Sequence, residues 1–228
     1  MTPPDEGLEA LLERAGVEAR LRPPLALYGA LVLAANRRFN LTGAKSGEEL
    51  VAHLADSLSV VAYIREGYID IGSGAGFPAI PVAIATGMPV TLIEATTKKA
   101  RFLETVLEQL GLRGRVVAER AEAAAHREVL RERFASGTAR GLAAASTVAE
   151  LLLPFIAPGG VAVLQRGRLD GAECVALEDA SLMLGGRVES ECLLGGKRRI
   201  VVVRKEHPTP SRFPRRAGIP EKRPLCSS

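Results

Sequence analysis

The sequence predicts an α/β protein, a doubly wound and mostly parallel sheet preceded by a helical segment. Three observations carry this. From Tyr68 onward short apolar runs alternate with helical stripes, the pattern of repeated strand–helix units. The first of these runs ends in Gly72-Ser-Gly-Ala-Gly76 and then a helix entry at Pro78, which reads as strand, glycine turn, helix. Glycines belong where the backbone takes positive φ or approaches a ligand too closely to tolerate a Cβ. The second run, Val90-Thr-Leu-Ile-Glu94, sets an acid at its C-terminal end, about 20 residues after the glycines, where nucleotide-binding sheets place a carboxylate on ribose hydroxyls.

Taken in order, the chain begins with helices. Leu8, Leu11, Leu12 and Ala15 recur at helical spacing between about residues 6 and 16. A second helix follows Pro23-Pro24, with Leu25, Tyr28, Leu31, Val32, Ala35 and Phe39 on one stripe, and Asn40-Leu-Thr42 closes it. A third runs from about 48 to 64 and brings His53, Asp56 and Ser57 within about one turn. Strands are expected near 68–71, 90–94, 115–119 and 161–165, with a weaker one near 134–139. Between them, Thr96-Thr97 caps a helix carrying Phe102, Leu103, Val106, Leu107 and Leu110. Another helix contains Val148 to Ile156 and stops at Pro158-Gly-Gly160. The runs 187–193 and 199–203, separated by Gly195-Gly196, form a hairpin. From Pro208 the chain is rich in proline and arginine and shows no periodicity. The expected organisation is a helical segment at 1–66 packed on the core, a Rossmann-like core at 67–206 and a basic tail at 207–228.

Composition narrows the function classes. The chain has 228 residues, 47% of them hydrophobic, enough for one sizeable core. No apolar run approaches a bilayer span, and Met1-Thr-Pro-Pro-Asp-Glu6 lacks the basic and apolar regions of a signal peptide. Cys174, Cys192 and Cys226 match no zinc or redox spacing, so no metal is expected and a reduced, cytoplasmic compartment is. The net charge of +4 is unevenly placed: from Lys197 onward ten Lys/Arg face only Glu206 and Glu221, while the rest holds 20 Lys/Arg against 24 Asp/Glu. A basic end on a near-neutral body suggests a polyanionic partner.

The glycine spacing bears on the cofactor. A dinucleotide fingerprint would put its third glycine at position 77, which is Phe77. The spacing here is G-x-G-x-G with Asp70 two residues ahead, a variant that suits S-adenosylmethionine, which has no pyrophosphate to seat against the helix. Gly72 and Gly74 are therefore candidate cofactor contacts. An antiparallel pair closing a parallel sheet is the ending expected of class I S-adenosylmethionine-dependent methyltransferases.

Several motifs together resemble one family. Asn40-Leu-Thr42, His53-x-x-Asp56-Ser57, Gly72-Ser-Gly-Ala-Gly-Phe-Pro-x-Ile-Pro81, Lys98-Lys99 with Arg101-Phe102-Leu103, Arg120-Ala-Glu122, Ala139-Arg140 and Phe213-Pro-Arg-Arg-x-Gly-x-Pro220 are similar to the RsmG (GidB) family over about residues 25–225. These are bacterial methyltransferases that make 7-methylguanosine in a decoding-centre loop of small-subunit (16S) ribosomal RNA. The resemblance implies cofactor contacts at Gly72, Phe77, Glu94-Ala95-Thr96, Ala121-Glu122 and Arg140. The chain departs from the family pattern at Ala135, where an acid is usual, at Arg166, where Lys is common, at Ala79 for glycine and at Glu94, where Asp is frequent.

N7 of guanine carries an unprotonated lone pair, so orientation and exclusion of water matter more than a general base. The chain has no Asn/Asp-Pro-Pro-Tyr/Phe motif for an exocyclic amine, nor a cysteine near the fourth or fifth strand for attack on a pyrimidine. His53, Asp56 and Arg166 are expected at the reaction centre. Arg198, Arg199, Arg215, Arg216, Lys222 and Arg223 are expected on RNA phosphates, which fix register and make binding salt-dependent. The partner is expected to be small-subunit RNA or the assembled particle, and the protein a monomer. A methyltransferase of another substrate and a catalytically impaired RNA-binding homologue stay open.

Overall fold

The structure, a computed structural model, describes residues 4–193 and 198–226. Three helices come first: α1 (Pro4–Arg14), α2 (Arg22–Asn36) and α3 (Gly47–Leu58). The alternating part follows as β1 (Tyr68–Ile71), α4 (Ala79–Thr86), β2 (Val90–Ile93), α5 (Thr97–Gln109), β3 (Gly114–Val117), α6 (Ala121–Ala124), β4 (Phe134–Arg140), α7 (Ala145–Leu152) and β5 (Ile156–Arg166). It ends with α8 (Gly171–Met183), β6 (Gly186–Leu193), β7 (Arg199–Lys205) and the short α9 (Ile219–Lys222).

One seven-stranded sheet runs β3-β2-β1-β4-β5-β7-β6. β1 to β5 pair in parallel, whereas β7 lies antiparallel between β5 and β6, as the sequence predicts for the last strand. The order reverses between β1 and β4, and ligands of open α/β sheets bind at the carboxyl edge of such a switch point.

Side chains of a strand alternate between faces, and here both faces are apolar. Tyr68, Val90, Leu92, Val161, Val163, Ile200 and Val202 pack with α1 to α5, so the N-terminal helices cover one face. Ile69, Ile71, Ile93, Ala162, Leu164, Val201 and Val203 pack with α7, α8 and, from the C-terminal segment, Phe213 and Leu225. Near-continuous apolar strands are what a sheet buried on both sides requires.

Three expectations about element ends need correction. α2 ends at Asn36, whose side chain then accepts from the Leu41 and Thr42 N–H groups (2.9 Å each) and donates to Ala44 O (3.1 Å). α3 ends at Leu58, ahead of a 3₁₀ turn at Val61–Tyr63. Pro158-Gly-Gly160 lies inside β5, at a register irregularity opposite Phe134 and Ser136, and α7 gives way instead to a 3₁₀ turn at Leu153–Phe155. The aperiodic C-terminal segment is ordered against the body, with Phe213, Pro214, Pro220 and Leu225 buried. Gly195-Gly196 and Lys197 lie outside the described residues. Among the described residues no helix is long and apolar enough to cross a membrane.

Candidate active site

The glycine turn fills the switch point. Gly72 has φ of 63°, and a Cβ there would run into the Leu142 side chain in the loop after β4. Gly76 has φ of 102°, and its Cβ would lie 2.6 Å from Ile80. Both positions demand glycine on backbone and steric grounds. The turn is pinned from outside by Tyr28 on α2, whose hydroxyl donates to Ala75 O at 2.6 Å and whose ring meets Phe77 edge-on at 5.7 Å. Tyr28 read as a core residue in the sequence; nothing in its helical stripe marks the hydroxyl.

A cleft of about 660 Å³ opens over the turn. Of the cofactor candidates, Gly72, Gly74, Phe77, Glu94, Ala95, Ala121, Glu122 and Arg140 line it. Thr96 stands behind: its N–H donates to Glu94 Oε1 at 2.7 Å, and its hydroxyl makes no cap bond to α5. Glu94, only 6% exposed, also accepts from Gly74 N at 2.9 Å through Oε2. Its two oxygens thus join the glycine turn to the loop after β2, and each keeps a further lone pair for a ligand hydroxyl.

The Glu122 side chain has a further partner. Its Oε1 accepts from the backbone N–H of Gly218 at 2.8 Å and from Arg120 Nη2 at 3.2 Å, so the carboxylate anchors the C-terminal segment. Thr147 Oγ1 donates to Pro220 O at 2.9 Å, and Pro220 and Glu221 complete the far wall of the cleft. Leu41, Thr42 and Gly43 form its near lip. The sequence analysis gave neither segment a place in this cleft, although Leu41, Thr42 and Pro220 lie in motifs that carried the resemblance.

Asp70 lies behind the turn, fully buried. Thr138 Oγ1 donates to its Oδ1 at 2.5 Å, and Oδ2 has no partner among the described residues. Burial pushes its pKa up to about 7 against the hydrogen bonds from Thr138 and Ser73.

The reaction-centre candidates gather beside the cleft. Arg140 Nη2 lies 2.8 Å from His53 Nδ1 and 3.1 Å from Asp56 Oδ2, and Nη1 donates to Ser57 Oγ at 3.3 Å. Its guanidinium also sits 5.8 Å from the Phe77 ring centroid. A guanidinium only donates, so this contact makes Nδ1 the acceptor and places the proton of the neutral imidazole on Nε2. Burial, then the Arg140 charge, lowers the His53 pKa, which keeps the ring neutral near pH 7. Asp56 also meets Arg198 Nη1 at 3.4 Å.

His53, Arg140 and Gly141 are shared with a second cleft of about 300 Å³, which Asp56, Arg166, Arg198 and Arg199 line. Arg166 is held by the Ala143 carbonyl and by Glu173, and Arg199 pairs with Glu191. Arg216, Lys222 and Arg223 are exposed on the C-terminal segment. Arg215 differs from these in being half-buried and paired. Its guanidinium makes a bidentate pair with Glu150, which is fully buried, and donates to Arg223 O at 2.7 Å.

The first cleft fits S-adenosylmethionine in its chemistry: an acid positioned for ribose hydroxyls, close backbone approach at Gly72, and Arg140 for a carboxylate. The chain matches the family model for rRNA small subunit methyltransferase G over residues 22–202. Relatives named ribosomal RNA small subunit methyltransferase G include one from Chloroflexus aggregans, 43% identical over 83% of this chain and 84% of its own. Another, from Symbiobacterium thermophilum, is 39% identical over 97% and 96%. Among solved structures, the fold is shared with a T. thermophilus 16S rRNA N2 methyltransferase, RsmC, in complex with AdoMet and guanosine, at TM-score 0.51 and 18% identity over 70% of this chain and 40% of that one. The mitomycin 7-O-methyltransferase MmcR shares it at TM-score 0.54 and 18% identity, over 82% and 70%. By its sequence along most of its length, this chain belongs to the rRNA small subunit methyltransferase G family.

Proposed function

We propose that this protein transfers a methyl group from S-adenosylmethionine to N7 of a guanine in small-subunit (16S) ribosomal RNA. The observation that carries the reading is the pair of clefts meeting at His53, Arg140 and Gly141, one suited to the cofactor and the other ringed by arginines. Bound S-adenosylmethionine supplies an electrophilic methyl group. Glu94 and the Ala121-Glu122 backbone hold its adenosine part, and Arg140 faces its carboxylate.

The remaining task of the chain is orientation. The N7 lone pair needs no base, and a neutral His53 locked by Arg140 is poor as one but suited to fixed hydrogen bonding. Asp56 acts through the arginines, holding Arg140 at the shared wall and Arg198 at the rim. The departures from the family pattern are consistent with activity. Ala135 sits at the start of β4, the end of the strand away from the site, and Arg166 keeps a cation in the second cleft. We take the protein to act in the cytoplasm as a monomer, which a solution mass measurement checks.

The deciding experiment is transfer of labelled methyl to small-subunit RNA or subunits from cells lacking the gene, with mapping of the modified base. A single 7-methylguanosine is expected. Cofactor binding with no transfer would replace this reading with that of a non-catalytic homologue.

A further inference from the structure

The second cleft holds an unmet acceptor. Gln165, at the end of β5, is 5% exposed and lines this cleft but not the first. Its amide nitrogen donates to Asp56 O at 2.8 Å and to Ser59 Oγ at 3.3 Å. Flipping the amide would set its oxygen against the Asp56 carbonyl, so the orientation is fixed. Among the described residues Oε1 is buried with no partner, and so are the Nε groups of Arg166 and Arg199, which also line this cleft. Buried polar groups are nearly always satisfied, by protein, water or ligand. An amide oxygen only accepts, so the group that meets this one is a donor, N–H or O–H.

The wall shared with the cofactor cleft has the opposite character. Arg140 has no acceptor atom, and the bond from Arg140 to His53 Nδ1 leaves Nε2–H as the free edge of that ring. The lining therefore offers donors at the wall shared with the cofactor cleft and, among its arginines, the open acceptor of Gln165. A purine whose N7 faces the cofactor presents its 6-substituent next and its N1 edge after that. In guanine these are an acceptor, O6, followed by the N1–H and 2-amino donors. In adenine they are a donor, the 6-amino group, followed by an unprotonated N1.

We propose that the second cleft is the pocket for the target guanine, with O6 read by His53 Nε2–H and the N1–H edge read by Gln165 Oε1. The exposed Arg198 at the rim then meets the phosphate of the same nucleotide. The proposal rests on the methyl-transfer reading above and adds how the base is selected.

The test uses small-subunit RNA carrying guanine, inosine or 2-aminopurine at the mapped position, with the full-length protein and Gln165→Leu. Inosine keeps O6 and N1–H, and 2-aminopurine has neither. Wild type is expected to methylate inosine within a few-fold of guanine and 2-aminopurine at least about 100-fold less efficiently. Gln165→Leu should lower kcat/KM for guanine about 10-fold and shrink the guanine/2-aminopurine ratio by a similar factor. Because the ratio compares the same two bases in both proteins, their intrinsic reactivities cancel. S-adenosylmethionine affinity should be unchanged, which also shows that the variant is folded. An unaltered ratio in a folded Gln165→Leu would overturn the proposal while leaving the methyl-transfer reading standing. So would a wild type that accepts 2-aminopurine as readily as guanine, with no variant needed. Absence of transfer to any RNA by a cofactor-binding wild type would overturn the methyl-transfer reading, and the proposal with it.

Discussion

The glycine turn and the C-terminal segment both border the cofactor cleft, yet they are built on different principles. The turn is local. Its conformation follows from Gly72 and Gly76 at positive φ, and its main partner, Glu94, comes from the next strand of the same unit. The C-terminal segment is held by contacts distant in sequence. Arg215 pairs with Glu150, Gly218 N–H with Glu122, and the Thr209 and Phe213 carbonyls with Arg131. Lys205, fully buried, donates to Leu153 O and Thr209 Oγ1 at the root of the segment. An arginine-rich stretch can therefore be a wall as well as an RNA contact, and the partners of each arginine decide which.

The sharpest way to break this comparison is Arg215→Ala. It leaves the fully buried Glu150 carboxylate without its guanidinium, a change that costs about 3–5 kcal/mol. In a protein of this size that corresponds to a fall of about 10 °C in the melting midpoint. Arg216→Ala, one residue on and exposed, should leave the midpoint within about 1 °C. Equal shifts for the two variants in thermal unfolding would mean that the segment is not anchored through Glu150.

On the side of the turn, Glu94→Ala removes the acceptor for Gly74 N–H and Thr96 N–H together with the expected ribose contact. S-adenosylmethionine affinity should fall about 100-fold by titration calorimetry, the scale of losing two bonds to a charged group. Affinity unchanged from wild type would remove the ribose assignment and leave Glu94 as a brace of the turn alone.

These contrasts explain how far the sequence could be read. The strand order and both apolar faces follow from period-2 runs such as Ile200–Val203 and from the alternation of strands with helices. Much of the lining of the first cleft was legible because a positive-φ glycine and an acid at a strand end are local demands. His53, Asp56 and Arg166 stand around one cleft because the ends of β4, β5 and α3 converge there, which a short motif alone does not reveal. What stayed hidden depends on long-range pairing. The Glu122 carboxylate holds Gly218, 96 residues on, and the Arg215 guanidinium holds Glu150, pairings that no local motif shows. Gln165 gave no signal at all, because an unpaired amide oxygen is a property of the fold and of no motif.

A third prediction sharpens the picture behind the turn. Burial raises the Asp70 pKa from 3.8 to about 7. A carboxyl whose folded pKa lies above its unfolded value favours the folded state fully below the unfolded pKa, and that contribution is lost as pH rises through the folded one. Stability measured by urea unfolding should therefore carry a downward component between about pH 4 and 7 in the wild type. Asp70→Asn cannot titrate, and its curve should lack that component. Identical pH profiles would mean that burial does not raise the Asp70 pKa above its unfolded value.

The smallest expected effects belong to the cations left exposed on the C-terminal segment, Arg216, Lys222 and Arg223. Each phosphate contact removed should lower the slope of log affinity against log salt by about 0.7–0.9, and weaken RNA binding a few-fold at moderate salt. Because the same segment carries Pro220 into the cofactor cleft, these substitutions also separate its two roles. Arg216→Ala and Lys222→Ala together should flatten the salt dependence while S-adenosylmethionine affinity stays at the wild-type value. If the slope instead changes only with Arg198→Ala at the rim of the second cleft, the segment serves as a wall alone and RNA is held where the base enters.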